Sequence, residues 1–291
     1  MARPPWTTLV DAESLAEALR WSKLGEAMPL VVLDCRHVIK DPEWGARAHA
    51  EGHIPSALHA HTDRDLSSPI RAGTGRHPLP DVDAFIETCT RWGIAHGTQV
   101  VAYDDAGGVW ASRAWWLLND HGHRDVAVLD GGLQAWIASG LALEKGPRAP
   151  PPAPRRFTGR PGHMPTVSTW DLLTRAPRCL MDARATERYL GEVEPIDRVA
   201  GHIPHAKSMP TGANLDKDLR FLPPDALRER YLAALDGLPP KDAAFYCGSG
   251  VTAPHDILAM HVAGLPGAAL YPGSYSEWIR NPMRPVAKGK D

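Results

Sequence analysis

The sequence has no Cys-x-x-Cys pair, no apolar run near membrane-spanning length, and almost no net charge. Each absence removes a class of function. Four cysteines (Cys35, Cys89, Cys179 and Cys247) lie far apart, which argues against a zinc site or a dithiol redox centre. A membrane helix needs roughly 20 consecutive apolar residues, and none is present. A formal charge of −2 offers no electrostatic hold on nucleic acid or an anionic bilayer. The run Met1 to Trp6 has no apolar core or cleavage-like site, so no secretory leader is expected. Lone thiols then fit a reducing cytoplasm.

What is present is an ordinary globular composition, 43% hydrophobic and 23% charged over 291 residues. At roughly 100–200 residues per domain this length suggests two domains. The chain also repeats itself once. PLVVLDC (29–35) returns as PRCLMDA (177–183), followed by Arg36 and Arg184. The turn Gly52-His53-Ile54-Pro55 returns as Gly201-His202-Ile203-Pro204. QVVAYDD (99–105) matches AAFYCGS (243–249), and LDGGLQAWI (129–137) matches LYPGSYSEWI (270–279). Four landmarks in one order at a slowly drifting offset indicate a duplicated domain. Residues 144–165 are rich in Pro, Gly and Arg and favour extended, semi-rigid chain. The expected division is an N-terminal domain over 1–147, a linker over 148–165 and a C-terminal domain over 166–291.

Short β-rich runs alternate with helical patterns in each half. Strands are expected at 30–34, 99–103, 126–129, 178–182, 243–246 and 268–271. Helices are expected at 11–22, 81–92, 109–121, 131–139, 168–175, 224–235, 252–263 and 274–280, with Asp11 and Ser168 as N-caps. This alternation predicts an α/β fold in which each domain is a parallel sheet flanked by helices on both faces. Ligands of such sheets bind at the carboxyl ends of the strands, which points to the segments after Tyr103 and Tyr246.

One of those segments carries chemistry. Cys247-Gly248-Ser249-Gly250-Val251-Thr252-Ala253 leaves an apolar run and feeds a helical pattern. Glycines let backbone N–H groups converge on one point, and the helix dipole adds positive potential there. Both favour an anion on the sulfur of Cys247. Cys35, Cys89 and Cys179 lack such a loop and are read as inert core thiols. His53 and His202 recur in both halves and are read as structural turn residues. Asp34/Arg36 and Asp182/Arg184 are read as ion pairs at strand ends.

The strand–Cys–loop–helix unit, the duplication and the GHIP turns resemble the tandem rhodanese family over nearly the whole chain. The resemblance implies two rhodanese-like domains. It also implies a catalytic C-terminal domain carrying a Cys247 persulfide, and a catalytically inactive N-terminal one. Asp104 stands at the position matching Cys247, in a longer loop that ends at Trp110. Relatives that prefer thiosulfate carry cations in the loop where this chain has Gly248 and Ser249. CGSGVTA is similar to the 3-mercaptopyruvate sulfurtransferase branch. Related phosphatases place an arginine where Ala253 stands, so phosphate chemistry is disfavoured.

The resemblance further assigns Arg188 to the donor carboxylate. The family's second arginine falls at Asp197, with Arg198 one step beyond as the weaker candidate. Gly248, Gly250, Val251 and Thr252 would cradle the transferred sulfur. Ser249, His77 and Asp63 match a proton-relay trio of the mercaptopyruvate branch. The implied reaction is two-step transfer from 3-mercaptopyruvate, through Cys247, to cyanide, a small thiol or a thioredoxin-like protein. It needs no metal or organic cofactor. Two alternatives stay open: thiosulfate as donor on the same fold, and a non-catalytic rhodanese-type module that binds a partner or senses redox state.

Overall fold

The computed structural model describes residues 5–23, 29–146 and 156–290. It divides into two compact units: Met1–Ser68, Pro80–His163 and Lys217–Phe221 form one, and Pro69–Leu79, Met164–Asp216 and Leu222–Asp291 the other. Two short segments, 69–79 and 217–221, therefore belong to the unit opposite their half of the chain. Of the expected linker, 148–155 lies outside the described residues. Its later part is fixed to the first unit, where the Phe157 N–H donates to Thr90 Oγ1 at 3.0 Å and the ring is buried.

The first unit runs β1 (Leu9–Val10), α1 (Ala12–Lys23), β2 (Leu30–Asp34), α2 (Trp44–Glu51), β3 (Leu58–His59), α3 (Val82–Arg91), β4 (Gln99–Tyr103), α4 (Ala111–Asp120), β5 (Val126–Leu129) and α5 (Gly132–Ala138). Its strands form one parallel sheet in the order β1-β5-β4-β2-β3. Every residue of β4 and β5 is buried, as a sheet covered on both faces requires. Side chains alternate along a strand. Val101 and Tyr103 of β4 join a core with Ala12, Leu15, Ala16 and Leu19 of α1 and Leu133 and Trp136 of α5. The α1 residues recur at the helical spacing that makes one apolar stripe.

The second unit runs α6 (Thr169–Thr174), β6 (Cys179–Asp182), α7 (Thr186–Leu190), β7 (Lys207–Ser208), α8 (Pro224–Leu235), β8 (Ala243–Tyr246), α9 (Ala253–Val262), β9 (Ala269–Leu270) and α10 (Ser274–Trp278). Its parallel sheet has the order β7-β6-β8-β9, the same as β3-β2-β4-β5. A parallel bridge from Thr166 to Leu270 stands where β1 does in the first unit. Ala244 and Tyr246 pack with Leu172, Tyr189, Tyr275 and Trp278 on one face. On the other, Phe245 meets Tyr231 of α8 edge-on with centroids 6.1 Å apart. Ser168 caps α6 through a reciprocal capping box with Asp171, and Asp11 accepts the Ser14 N–H at 2.7 Å before α1.

The same ion pair ends the central strand pair of each sheet. Arg36 Nε lies 2.9 Å from Asp34 Oδ1, and Arg36 Nη2 donates to the Gly52 carbonyl at 2.8 Å. In the second unit, Arg184 Nε lies 3.0 Å from Asp182 Oδ1 and Nη2 donates to Gly201 O at 2.7 Å. The GHIP turns are held identically. Tyr103 Oη accepts the Ile54 N–H at 3.2 Å and Tyr246 Oη that of Ile203 at 3.1 Å. His53 stacks on His49, and His202 on Tyr189. Both histidines pair Nδ1 with a carbonyl four or thirteen residues back, which is a structural role.

The second unit also buries an acid that its sheet does not use. Asp256 of α9 accepts from Asn214 Nδ2 at 2.8 Å and from the Tyr231 hydroxyl at 2.9 Å. Its Oδ2 has no hydrogen-bond partner among the described residues. Burial lifts this carboxyl from 3.8 to about 7, against the lowering effect of those two donors. Between those values the folded chain holds a proton that the unfolded chain releases. Stability therefore falls as pH rises through the window and levels off above it. Urea unfolding of the wild type and Asp256→Asn should diverge between pH 5 and pH 8, the variant gaining about 3 kcal/mol relative to wild type. A pH-independent difference would refute the assignment.

Candidate active site

Cys247 follows β8 directly, and the loop Cys247–Thr252 leads into α9. Sγ is 1% exposed with its residue and accepts the Gly250 N–H at 3.1 Å. Gly250 is required on two counts. Its φ is +82°, and a Cβ there would sit 2.3 Å from the Pro272 carbonyl oxygen. The start of α10 holds the loop from the other side: Tyr275 N–H donates to Cys247 O at 3.0 Å and Ser276 N–H to Gly248 O at 2.9 Å. Val251 is buried. Thr252 occupies the N-cap position of α9 without a side-chain capping bond.

Ser274, which motif spacing did not single out, lies beside Cys247. Its Oγ accepts the Cys247 N–H at 3.1 Å, donates to Tyr271 O at 3.0 Å and lies 4.0 Å from Cys247 Sγ. Ser274 has φ +53° and its twin in the first unit, Gly132, φ +55°. A side chain in that conformation costs roughly 1–3 kcal/mol. Glycine avoids the cost at 132, where a Cβ would also sit 2.3 Å from the Asp104 carbonyl oxygen, and serine bears it at 274. That exchange within the matched segments is the sequence signal for this residue.

The segment 69–79 is docked into the second unit and delivers two more side chains. A Cβ on Gly75 would lie 2.4 Å from Gly273 O, and the Arg76 N–H donates to Ser276 Oγ at 3.0 Å. His77 follows, buried, with Nδ1 2.7 Å from Ser249 Oγ. Arg76, absent from the sequence reading, pairs with Asp197. Arg188 of α7 pairs with Glu194 at 2.8 Å and with the same Asp197 at 2.9 Å. Both guanidiniums reach the loop: a Cβ on Gly248 would meet Arg76 Nη2 at 3.0 Å and Arg188 Nη1 and Nη2 at 3.6 Å.

Cys247, Ser249, His77 and Arg188 are thus assembled in one unit. Arg198 is directed elsewhere, its Nη2 donating to Ile279 O at 2.6 Å and Arg280 O at 3.2 Å. Asp63 belongs to the first unit, where its N–H donates to His61 Nδ1 at 3.1 Å. The remaining cysteines are free, and burial pushes the thiols of Cys35, Cys89 and Cys179 upward, which suppresses the reactive thiolate.

The twin loop of the first unit is filled from within. The Asp104 carboxylate accepts from Ala106 and Gly108 at 2.8 Å through Oδ1, and from Trp110 at 2.7 Å and Ala111 at 2.8 Å through Oδ2. Burial raises this carboxyl despite the four donors. The loop that frames a thiol in one unit therefore binds its own acid in the other.

A profile of the rhodanese-like domain matches residues 12–139 and again 168–281. The chain is 50% identical over 286 residues to a Pseudomonas aeruginosa protein named probable 3-mercaptopyruvate sulfurtransferase, covering 97% of this chain and 98% of that one. It is 35% identical over 280 residues to the 3-mercaptopyruvate sulfurtransferase of Homo sapiens, covering 93% and 91%. The solved 3-mercaptopyruvate sulfurtransferase from Leishmania major superposes with a TM-score of 0.83 at 30% identity, over 96% of this chain and 76% of that one.

Asp104→Ala would leave four inward-facing N–H groups without their acceptor. It should cost the first unit at least about 3 kcal/mol in urea unfolding, whereas a loss within experimental error would show that water replaces the carboxylate.

Proposed function

The chain belongs to the rhodanese family and is a sulfurtransferase, and from that premise we propose that it carries sulfur from 3-mercaptopyruvate to a thiol or cyanide acceptor as a persulfide on Cys247. The observation that carries the donor choice is the 2.7 Å pairing of His77 Nδ1 with Ser249 Oγ, two residues from the nucleophile in a loop without cations. A dianionic thiosulfate gains nothing from such a pair. A mercaptopyruvate, whose leaving group must be protonated, does.

In the first step the Cys247 thiolate attacks the donor sulfur. An S–S bond forms, the C–S bond breaks, and its electron pair passes to carbon as the enolate of pyruvate. Ser249, backed by His77, supplies the proton that turns the enolate into pyruvate. Asp63 enters this relay through the family resemblance alone, as the acid that would orient His77. The Gly250 N–H faces the sulfur and would stabilise its anionic forms. In the second step an acceptor thiolate or cyanide attacks the outer sulfur and releases the Cys247 thiolate. Two half-reactions through one covalent intermediate predict ping-pong kinetics. Neither step calls for a metal or organic cofactor. A reducing compartment such as the cytoplasm, where four free thiols would persist, is the setting this reading favours.

Cys247→Ser should form no pyruvate and should not gain the mass of one sulfur atom when incubated with donor. Pyruvate at the wild-type rate from this variant would overturn the reading. His77→Ala should slow pyruvate formation about 100-fold and spare transfer from thiosulfate. Equal losses on both donors would instead favour thiosulfate as the native donor.

A further inference from the structure

The two arginines at Gly248 are held from beneath and left open above. Asp197 bridges Arg76 and Arg188, and Glu194 takes Arg188 as well. Both carboxylates are almost completely buried, with side chains 2% and 4% exposed, whereas Arg76 and Arg188 are 26% and 15% exposed. The acids spend only part of each guanidinium. Arg188 commits Nε and Nη2, and Arg76 commits Nη1. Arg76 Nη2 and Arg188 Nη1 have no hydrogen-bond acceptor among the described residues, and they lie 3.0 and 3.6 Å from where a Cβ on Gly248 would be.

Buried acids that fix two cations while leaving guanidinium donors of both uncommitted beside a glycine describe a seat for a small anion. The lack of a side chain at 248 is what lets both guanidiniums approach. The seat lies over Gly248, the residue next to Cys247 in the loop. Ion pairing to Asp197 also removes the rotamer freedom that a lone arginine would lose on binding.

We propose that Arg76 is a substrate-binding residue which, together with Arg188, clamps the donor's carboxylate over Gly248. This rests on the reading of the donor as 3-mercaptopyruvate. Arg76 thereby favours an anionic donor over a neutral one, because the clamp adds affinity only where the donor carries a negative group for it to hold. Asp197 acts as a positioning residue for both arginines.

The test compares 3-mercaptopyruvate with mercaptoacetone, which keeps the thiol and ketone and lacks the carboxylate. In Arg76→Met, KM for 3-mercaptopyruvate should rise about 10- to 100-fold, with kcat changed little and turnover of mercaptoacetone unchanged. Arg76→Lys, which restores the charge without the fork, should recover part of the KM. An unchanged KM in Arg76→Met, or an equal loss with both donors, overturns the clamp while leaving the donor reading intact. A wild-type enzyme that forms no pyruvate from 3-mercaptopyruvate overturns the donor reading, and the clamp with it.

Discussion

The buried aspartate–arginine pair at the end of the inner strand is the interaction on which each unit depends. Asp34 lies in register with Tyr103, and Asp182 with Tyr246. The next residue in each case is the one that faces the loop, Asp104 or Cys247. The pair therefore fixes the strand end from which the chemistry departs. It reaches sideways as well: the arginine takes the carbonyl of Gly52 or Gly201, and the tyrosine hydroxyl takes the amide two residues on. In the second unit the Arg184 guanidinium also lies 4.0 Å from the Tyr275 ring, whose N–H holds Cys247 O. A buried pair is weak evidence for stability, since desolvation offsets most of its attraction. What it supplies is a single orientation. Asp34 illustrates the balance. Burial alone would raise its carboxyl, yet hydrogen bonds from His49, Arg36 and Tyr103 hold it down at about 2, so the anion persists across the physiological range.

Duplication left two copies of a backbone nest, and they diverged by what fills them. An acid in such a nest is its own ligand. Its two oxygens absorb four N–H groups, and no incoming anion finds a donor. A thiol takes one of the N–H groups and leaves room for a second sulfur. The inactivity expected of the first unit thus needs no missing fold element, only an occupant. The neighbouring position differs as well: glycine at 132, where a Cβ would crowd the Asp104 carbonyl oxygen, and serine at 274, whose Oγ accepts the Cys247 N–H.

Much of this was legible in the sequence, for definite reasons. The strands at 30–34, 99–103, 126–129 and 243–246 and the helix at 224–235 appear at the expected residues, because fully buried strands read as apolar runs and the helix repeats Leu227, Tyr231 and Leu235 at helical spacing. The two-residue strands β1, β3 and β7 are too short to show a period, and α2 and α7 are short helices of mixed polarity. Cys247 stood out through glycine spacing, and Ser249, His77 and Arg188 came with the family resemblance. Arg76 did not. Its partner Asp197 is 121 residues away, and its place follows from a segment that leaves its own half of the chain. Arg198 was drawn to the site by nearness in sequence to Asp197, whereas its guanidinium is satisfied by two carbonyls at the end of α10.

That borrowed segment separates two tasks that a cation-bearing loop would combine. Positive charge inside the nest would stabilise the sulfur anion and attract an anionic donor with the same groups, so neither could change alone. Here the loop itself is neutral at Gly248 and Ser249, and the sulfur accepts a backbone N–H from Gly250. The guanidiniums nearest Gly248 come from α7 and from Arg76, on separate stretches of chain. The separation has a steric condition, since both guanidiniums must pass close to position 248, and only a residue without a side chain allows it. Gly248 therefore shapes the site as a gap, as Gly250 does by its backbone conformation. The donor is read by what surrounds the loop, and the sulfur by the loop itself.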